Sequence, residues 1–246
     1  MNAWDTNARL VVAIDGPSGS GKSSVSKEVA RRFDLAYLDT GAMYRAVTWW
    51  CLESGVDLTD PQAVTAATET VALEMGTDPH EERITVAGQN VRTAIRGNRV
   101  TDHVSAVSTT IPAREVLVRM QQDIIRDSGY RIVAEGRDIT TVVAPDAQVR
   151  ILLTASEAAR MARRGKQVGA AASSDLEARV VGRDAKDSTV VNFTTAQDGV
   201  HLLDSSELTM EQTVQGVIDL IIRATTHDGA LAAPHDTGAN APEEAR

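Results

Sequence analysis

The octapeptide Gly16-Pro17-Ser18-Gly19-Ser20-Gly21-Lys22-Ser23 has the spacing Gly-x-x-x-x-Gly-Lys-Ser, which suits holding the phosphates of a nucleoside triphosphate. Glycines carry no Cβ and tolerate positive φ, so the backbone can wrap closely around an anion. Successive N–H groups then point inward, and a helix that starts at the loop adds the positive end of its dipole. Lys22 is expected to reach the β- and γ-phosphates. The Ser23 hydroxyl is expected to take a Mg²⁺ position, and Ser24 completes the nucleotide-binding set.

Such a loop works only between a strand and a helix, and both flanks are present. Leu10–Asp15 is a short apolar run, and Val25–Phe33 has helical character. The same alternation continues along the chain. Strands are predicted at 35–38, 130–134, 148–153 and 199–204. Helices are predicted at about 42–53, 156–165 and 208–225, with a further one ending at Arg183. Gly55 would stop the second helix. The last helix carries Val214, Val217, Ile218, Ile221 and Ile222 on one face. Strands separated by helices predict an α/β fold with a five-stranded parallel sheet covered on both sides. Ligands of such sheets bind beyond the carboxyl ends of the strands. Three polar clusters fall there: 15–23, 39–45 and 135–138.

Residues 56–128 differ from these flanks. A helical run over 61–75 with Asp60 as its cap is predicted, then two short strands in 83–91 around an Ala-Gly-Gln-Asn turn. Helical patterns follow at 101–108 and 112–127, with Pro112 at a helix start. The block is expected to be a mixed α+β insertion in a core made of 8–55 and 129–226. From His227 to Arg246, Gly, Ala, Pro and acidic residues dominate without periodicity, so a disordered acidic tail is expected.

Composition narrows the function. A formal net charge of −9 argues against binding nucleic-acid backbone broadly. Cys51 is the only cysteine, which excludes an intrachain disulfide and a multi-cysteine metal site; its apolar helical setting predicts a core residue. The five histidines have no metal-ligand spacing. No apolar run reaches a membrane span and the start lacks a secretory pattern, so a soluble, cytoplasmic protein is expected.

The loop alone says nucleoside triphosphate. There is no Asn-Lys-x-Asp segment for reading guanine, whereas Ile132-Val133-Ala134-Glu135 could imitate the strand that ends in a carboxylate in mechanical ATPases. The arginines favour a kinase, because phosphoryl transfer between two anions depends on alignment and charge stabilisation. Arg160, Arg163 and Arg164 share one helix face. The polar stretch 166–175 after them suggests a mobile lid, about 156–183, closing over the triphosphate. A solvated basic face is the competing reading of the same residues.

Taken together, Ile14 to Ser23, Asp39-Thr40-Gly41-Ala42-Met43-Tyr44-Arg45, Ile95-Arg96, Glu135-Gly136-Arg137-Asp138 and Val142 to Ala147 resemble the bacterial cytidylate kinases, over about Val11 to Ile222. The resemblance implies a P-loop kinase core with an enlarged monophosphate-binding insertion, which 56–128 fits. It implies transfer of the γ-phosphoryl group of ATP to CMP and dCMP with Mg²⁺, and a monomer. Carried over residue by residue, it places Arg45 and Arg137 on the acceptor's phosphate, with Tyr44 beside them in the substrate-binding set. Thr40, Ser105, Arg114 and Asp138 would read cytosine. Asp138 would accept from the exocyclic amine that uracil lacks, and Arg114 would donate to the O2/N3 edge. Arg183 and Asp187 would lie near the ribose hydroxyls. Lys22, Arg137, Arg160, Arg163 and Arg164 form the expected catalytic set.

Three positions depart from that pattern. Val190 stands where relatives often carry Arg, Thr140 where many have Gly, and Glu135 where many have Asp. The rival readings are a P-loop kinase for another monophosphate, an ATP-binding regulator without turnover, and a nucleic-acid-dependent ATPase.

Overall fold

The strand Leu10–Asp15 (β1) is apolar at five of its six positions and buried throughout, as a central strand covered on both faces must be. Its side chains alternate between two cores. Leu10, Val12 and Ile14 pack with Val25 and Val29 of helix α1 (Lys22–Arg32) and with Val214, Val217 and Ile221 of the last helix. Val11 and Ala13 face the other way, toward Met43 and Val47 of α2 (Thr40–Glu53) and Leu117 of a long helix in the insertion.

The protein is described here from a computed structural model, which covers residues 8–168, 190–191 and 193–227. Within it β1 lies at the centre of a five-stranded, all-parallel sheet. The neighbours are β2 (Ala36–Asp39), β6 (Arg131–Gly136), β7 (Val149–Thr154) and β8 (His201–Asp204), in the order β2-β6-β1-β7-β8. Every strand predicted from the apolar runs is present. Reversal of strand order around β1 opens a crevice at the carboxyl ends, where ligands of such sheets bind.

Residues 56–128 supply α3 (Pro61–Thr70), a small antiparallel sheet of β3 (Leu73–Met75), β4 (Ile84–Val86) and β5 (Gln89–Asn90), then a 3₁₀ turn at Ala94–Arg96. Short α4 (Asn98–Thr101) and α5 (Val104–Ser108) lead into α6 (Ile111–Asp127). Asp60 caps α3 by accepting from the Gln62 N–H at 2.8 Å. The expected helix over 61–75 is corrected: it stops at Thr70. Val71 is extended (ψ 127°), and Leu73–Met75 pairs antiparallel with Ile84–Val86. A strand partner at Ile84–Val86 outcompeted helix propagation, and no Gly or Pro marks the change. The stretch 101–108 is likewise two short helices separated at Asp102–His103.

After β7 comes α7 (Glu157–Val168), and after β8 comes α8 (Met210–His227). Val214, Val217 and Ile221 are fully buried on α8, but Ile222, expected on the same face, is 37% exposed. The apolar stripe on this helix is narrower than the sequence suggests. Gly55, with φ +68°, follows the last residues of α2, and Cys51 is buried as expected. The expected helix ending at Arg183 and residues 228–246 of the expected tail lie outside the described residues, as does most of the expected lid beyond Val168; His227, expected to open the tail, instead ends α8.

Candidate active site

The three polar clusters at the strand ends line one cleft of about 850 Å³. On one side is the loop 18–24. Gly19 and Gly21 have φ of +82° and +93°, which explains glycine at both. Gly21 is the residue before the first turn of α1, and no acidic side chain occupies that turn, so its N–H groups and dipole face the cleft. Arg160 and Arg163 of α7 rest on this loop. Arg160 donates to the Ser18 carbonyl at 3.1 Å. Arg163 donates to the Ser20 carbonyl at 3.0 Å and to Ser205 beyond β8. Arg163 also lines the cleft. The two arginines therefore brace the backbone that would enclose the phosphates. The side chain of Arg164 lies outside the described residues.

At the floor, β2 and β6 end side by side with Asp39 opposite Glu135. Asp39 caps α2, accepting from the Ala42 N–H at 2.8 Å, and holds Arg45 at 3.1 Å. Burial opposes its charge, but Arg45 keeps its carboxyl below the usual range. Glu135 is pushed upward by burial and then by the charge of Asp39. Its carboxylate accepts from the Ser23 hydroxyl at 2.5 Å and from Tyr37 at 3.2 Å, with the Lys22 ammonium at 3.8 Å. The longer side chain at 135 thus reaches the P-loop directly. Ser23 and Glu135 offer hard oxygen donors side by side at the phosphate end, the donor type Mg²⁺ prefers, so the residues present fit that ion.

Opposite the loop lie groups suited to a second anion and a base. Tyr44, Arg45, Arg96, Thr101, Ser108, Arg114, Arg137 and Asp138 line this side. Arg45 is largely buried, and its Nε has no hydrogen-bond partner among the described residues. Arg45 lines the cleft while keeping a donor unsatisfied, a combination suited to an anionic ligand. Arg137 donates to the Gly16 carbonyl at 3.4 Å and stacks on Phe193 with 4.4 Å to the ring centroid. Asp138 and Arg114 form an ion pair, and Arg114 also donates to the Ser108 carbonyl at 2.9 Å. Arg114 lies 5.6 Å from the Tyr44 ring centroid.

The segment after Asp138 is fastened to β1. Asp15 accepts from the N–H groups of Ile139 and Thr140 at 2.8 Å each and from the Thr140 hydroxyl at 2.6 Å. Burial pushes the Asp15 carboxyl up to about 6, against these hydrogen bonds. Thr140, one of the departures, is therefore a clamp residue: a glycine there would lack the hydroxyl. At Gly136, a Cβ would stand 2.4 Å from Thr40 Oγ1, so only glycine allows β6 to approach α2 this closely.

Most sequence-derived residues converge on this cleft, but Gly16, Pro17 and Arg160 are not among its lining residues. Ser105 is not among its lining residues; Ser108 and Thr101 of the same segment are. Thr40 lines the cleft, but its hydroxyl donates to the Glu135 carbonyl at 2.9 Å and so ties α2 to β6. Arg183 and Asp187 lie outside the described residues. Val190 is half-buried and its neighbour Val191 lines the cleft, so an apolar pair stands near the position where an arginine was expected. The sequence reading placed Asp39 in a polar cluster without giving it a role, although a carboxylate ending a strand and preceding a helix is the signal of a cap. It quoted Arg96 without giving it a role, and nothing local marked Ser108.

The family model described as cytidylate kinase matches residues 12–223. The chain belongs to the cytidylate kinase family. Curated relatives agree. A cytidylate kinase of Nocardia farcinica is 50% identical over 211 residues, covering 83% of this chain and 90% of the relative. That of Rhodococcus jostii is 47% identical over 230 residues, covering 91% and 99%. That of Streptomyces avermitilis is 46% identical over 215 residues, covering 86% and 92%. The chain is accordingly an enzyme, a nucleotide-binding transferase with the fold of a P-loop kinase, and its substrates are small molecules. Among the described residues, no helix is long and apolar enough to cross a membrane.

Proposed function

We propose that the protein transfers the γ-phosphoryl group of ATP to CMP and to dCMP, with Mg²⁺, as a cytoplasmic monomer without a nucleic-acid partner. The observation that carries this reading is the division of one cleft into a backbone-lined loop at Lys22 and a side-chain-lined half holding Arg45 and the Arg114–Asp138 pair.

In this reading the loop 16–24 binds the triphosphate through N–H groups, and Lys22 stabilises charge on the β- and γ-phosphates. Arg45 and Arg137 grip the acceptor phosphate as permanent, forked cations. Asp138 accepts from the cytosine amine, with Arg114 holding its orientation while donating to the base; Tyr44 packs beside them. Facing uracil, Asp138 would meet a carbonyl and lose its bond, which discriminates strongly. Ser23, with Glu135 behind it, would hold Mg²⁺, which neutralises phosphate charge when bound. Arg160 and Arg163 keep the loop in shape, and Arg163 adds positive charge to the cleft. An anionic phosphate acceptor requires no general base.

The test is ADP release from ATP and Mg²⁺ with CMP, dCMP, UMP, AMP and GMP offered separately. Turnover with CMP and dCMP alone is expected. Activity with another monophosphate would overturn the base-reading residues, and no acceptor-dependent release would overturn the kinase reading.

A further inference from the structure

Glu82 lies on the loop between β3 and β4, yet three cations from two other segments, α1 and residues 92–96, converge on it. Its Oε2 faces Lys27 Nζ of α1 at 3.6 Å and Arg92 Nε at 3.2 Å, while Oε1 pairs with Arg96. The Glu82 side chain is 16% exposed, against 51% for Arg96. Burial opposes the charge, but Arg96 and Lys27 hold the carboxyl below its usual range.

The same loop is fixed to the core by other bonds. The Tyr37 N–H of β2 donates to the Thr77 carbonyl at 2.8 Å, and Arg31 of α1 donates to the Pro79 carbonyl at 3.1 and 2.8 Å. Glu82 is thus carried by a loop attached to the helix that begins at the P-loop.

Arg96 is the residue this arrangement serves. It lines the cleft, and its charge acts on Asp39 together with those of Arg45 and Lys22. Its backbone is set by the neighbouring Ile95, fully buried against Ala42, Ala46 and Trp49. Its guanidinium, on a long and half-exposed side chain, has no such packing to set it. An unrestrained arginine must lose side-chain freedom on binding an anion, and prior restraint reduces that loss.

We infer that Glu82 is a positioning residue, which holds the Arg96 guanidinium at the acceptor-phosphate side of the cleft and references it to α1 through Lys27. The inference rests on the acceptor reading given above.

The test compares steady-state kinetics of the full chain with those of Glu82→Gln, Glu82→Asp and Lys27→Met. Glu82→Gln should raise KM for CMP about tenfold, with kcat and KM for ATP within about twofold. Glu82→Asp, which keeps the charge, should stay closer to wild type and serves alone if Glu82→Gln does not fold. Lys27→Met, which leaves the Arg96 pair intact, should have the smaller effect. Equal rises in both KM values, a loss confined to kcat, or a Lys27→Met effect as large as that of Glu82→Gln would overturn the inference. Should wild type not use CMP, the acceptor reading fails by itself. Exchange of the Arg96 Nε–H, assigned by its loss in Arg96→Lys, then decides the positioning: faster exchange in Glu82→Gln supports it, and an unchanged rate overturns it.

Discussion

The two halves of the cleft are built differently. The donor half of the proposed reading is contiguous: 16–24 runs through one turn into one helix, and the binding groups proposed for it are mostly backbone N–H donors. The acceptor half is assembled from side chains at 44–45, 96, 101, 108, 114 and 137–138, carried by α2, the insertion and the end of β6. A backbone site needs glycines at fixed spacing and tolerates variation elsewhere. A side-chain site needs a scaffold to bring its residues together, and here residues 56–128 are packed on α2, with Ile84, Val86, Val91 and Ile95 in one cluster with Ala42, Ala46 and Trp49. The protein can therefore hold the triphosphate site constant while specificity is set by elements far apart in sequence.

Changes confined to one half test this division. The largest effect is expected from Lys22→Ala. Loss of the charge at the β- and γ-phosphates should lower kcat about 10²–10³-fold, while CMP binding measured calorimetrically stays near wild type. Near-normal turnover would remove Lys22 from the mechanism. Asp138→Ala acts on the other half. KM for CMP should rise about 10–100-fold, with ATP binding retained and UMP much less affected. Were CMP and UMP to suffer equally, Asp138 would not be reading the amine.

A smaller, pH-dependent effect is expected where the halves meet, at Asp15. Its carboxyl is raised by burial from 3.8 to about 6. Protonation at lower pH takes an ionised acceptor from Ile139 and Thr140, so kcat/KM for CMP should fall through that window. Stability runs the other way: the folded chain binds this proton more tightly than the unfolded one. The Asp15 contribution therefore falls by about 3 kcal/mol as pH rises from about 4 to 6, and is fully present only below that window. Acceptor phosphate also titrates near pH 6, so the informative measurement is a difference. Thr140→Val removes a hydrogen bond that lowers the Asp15 pKa, and the acid limb should move upward relative to wild type; coincident limbs would show that the clamp does not govern the acceptor segment.

The smallest expected effect is remote from both halves. Ala87, at the β4–β5 turn, has φ +49°, a left-handed conformation that disfavours a Cβ. Ala87→Gly should raise stability by about 1 kcal/mol in denaturant unfolding and leave both KM values unchanged. A shift in KM for CMP would mean that the hairpin tip, and not only its base at Glu82, acts on the cleft.

What the sequence determined by itself was local chemistry. The P-loop, the five core strands, the caps at Asp60 and Gly55 and the apolar character of β1 follow from residue types at short range, where periodicity and turn propensity act. The resemblance to cytidylate kinases added acceptor residues that no spacing argument supplied, and Arg114, Arg137 and Asp138 do meet in the cleft. Only the tertiary structure decided the rest. Residues 71–75 are a strand because a partner at 84–86 offers hydrogen bonds. Ser108 and not Ser105 reaches the cleft, although both lie on α5. Thr140 and Glu135 look like minor departures in sequence, yet each bonds a residue more than a hundred positions away, Asp15 and Ser23. Contacts of that range depend on how strands are ordered in the sheet, and neighbouring residues along the chain carry no trace of it.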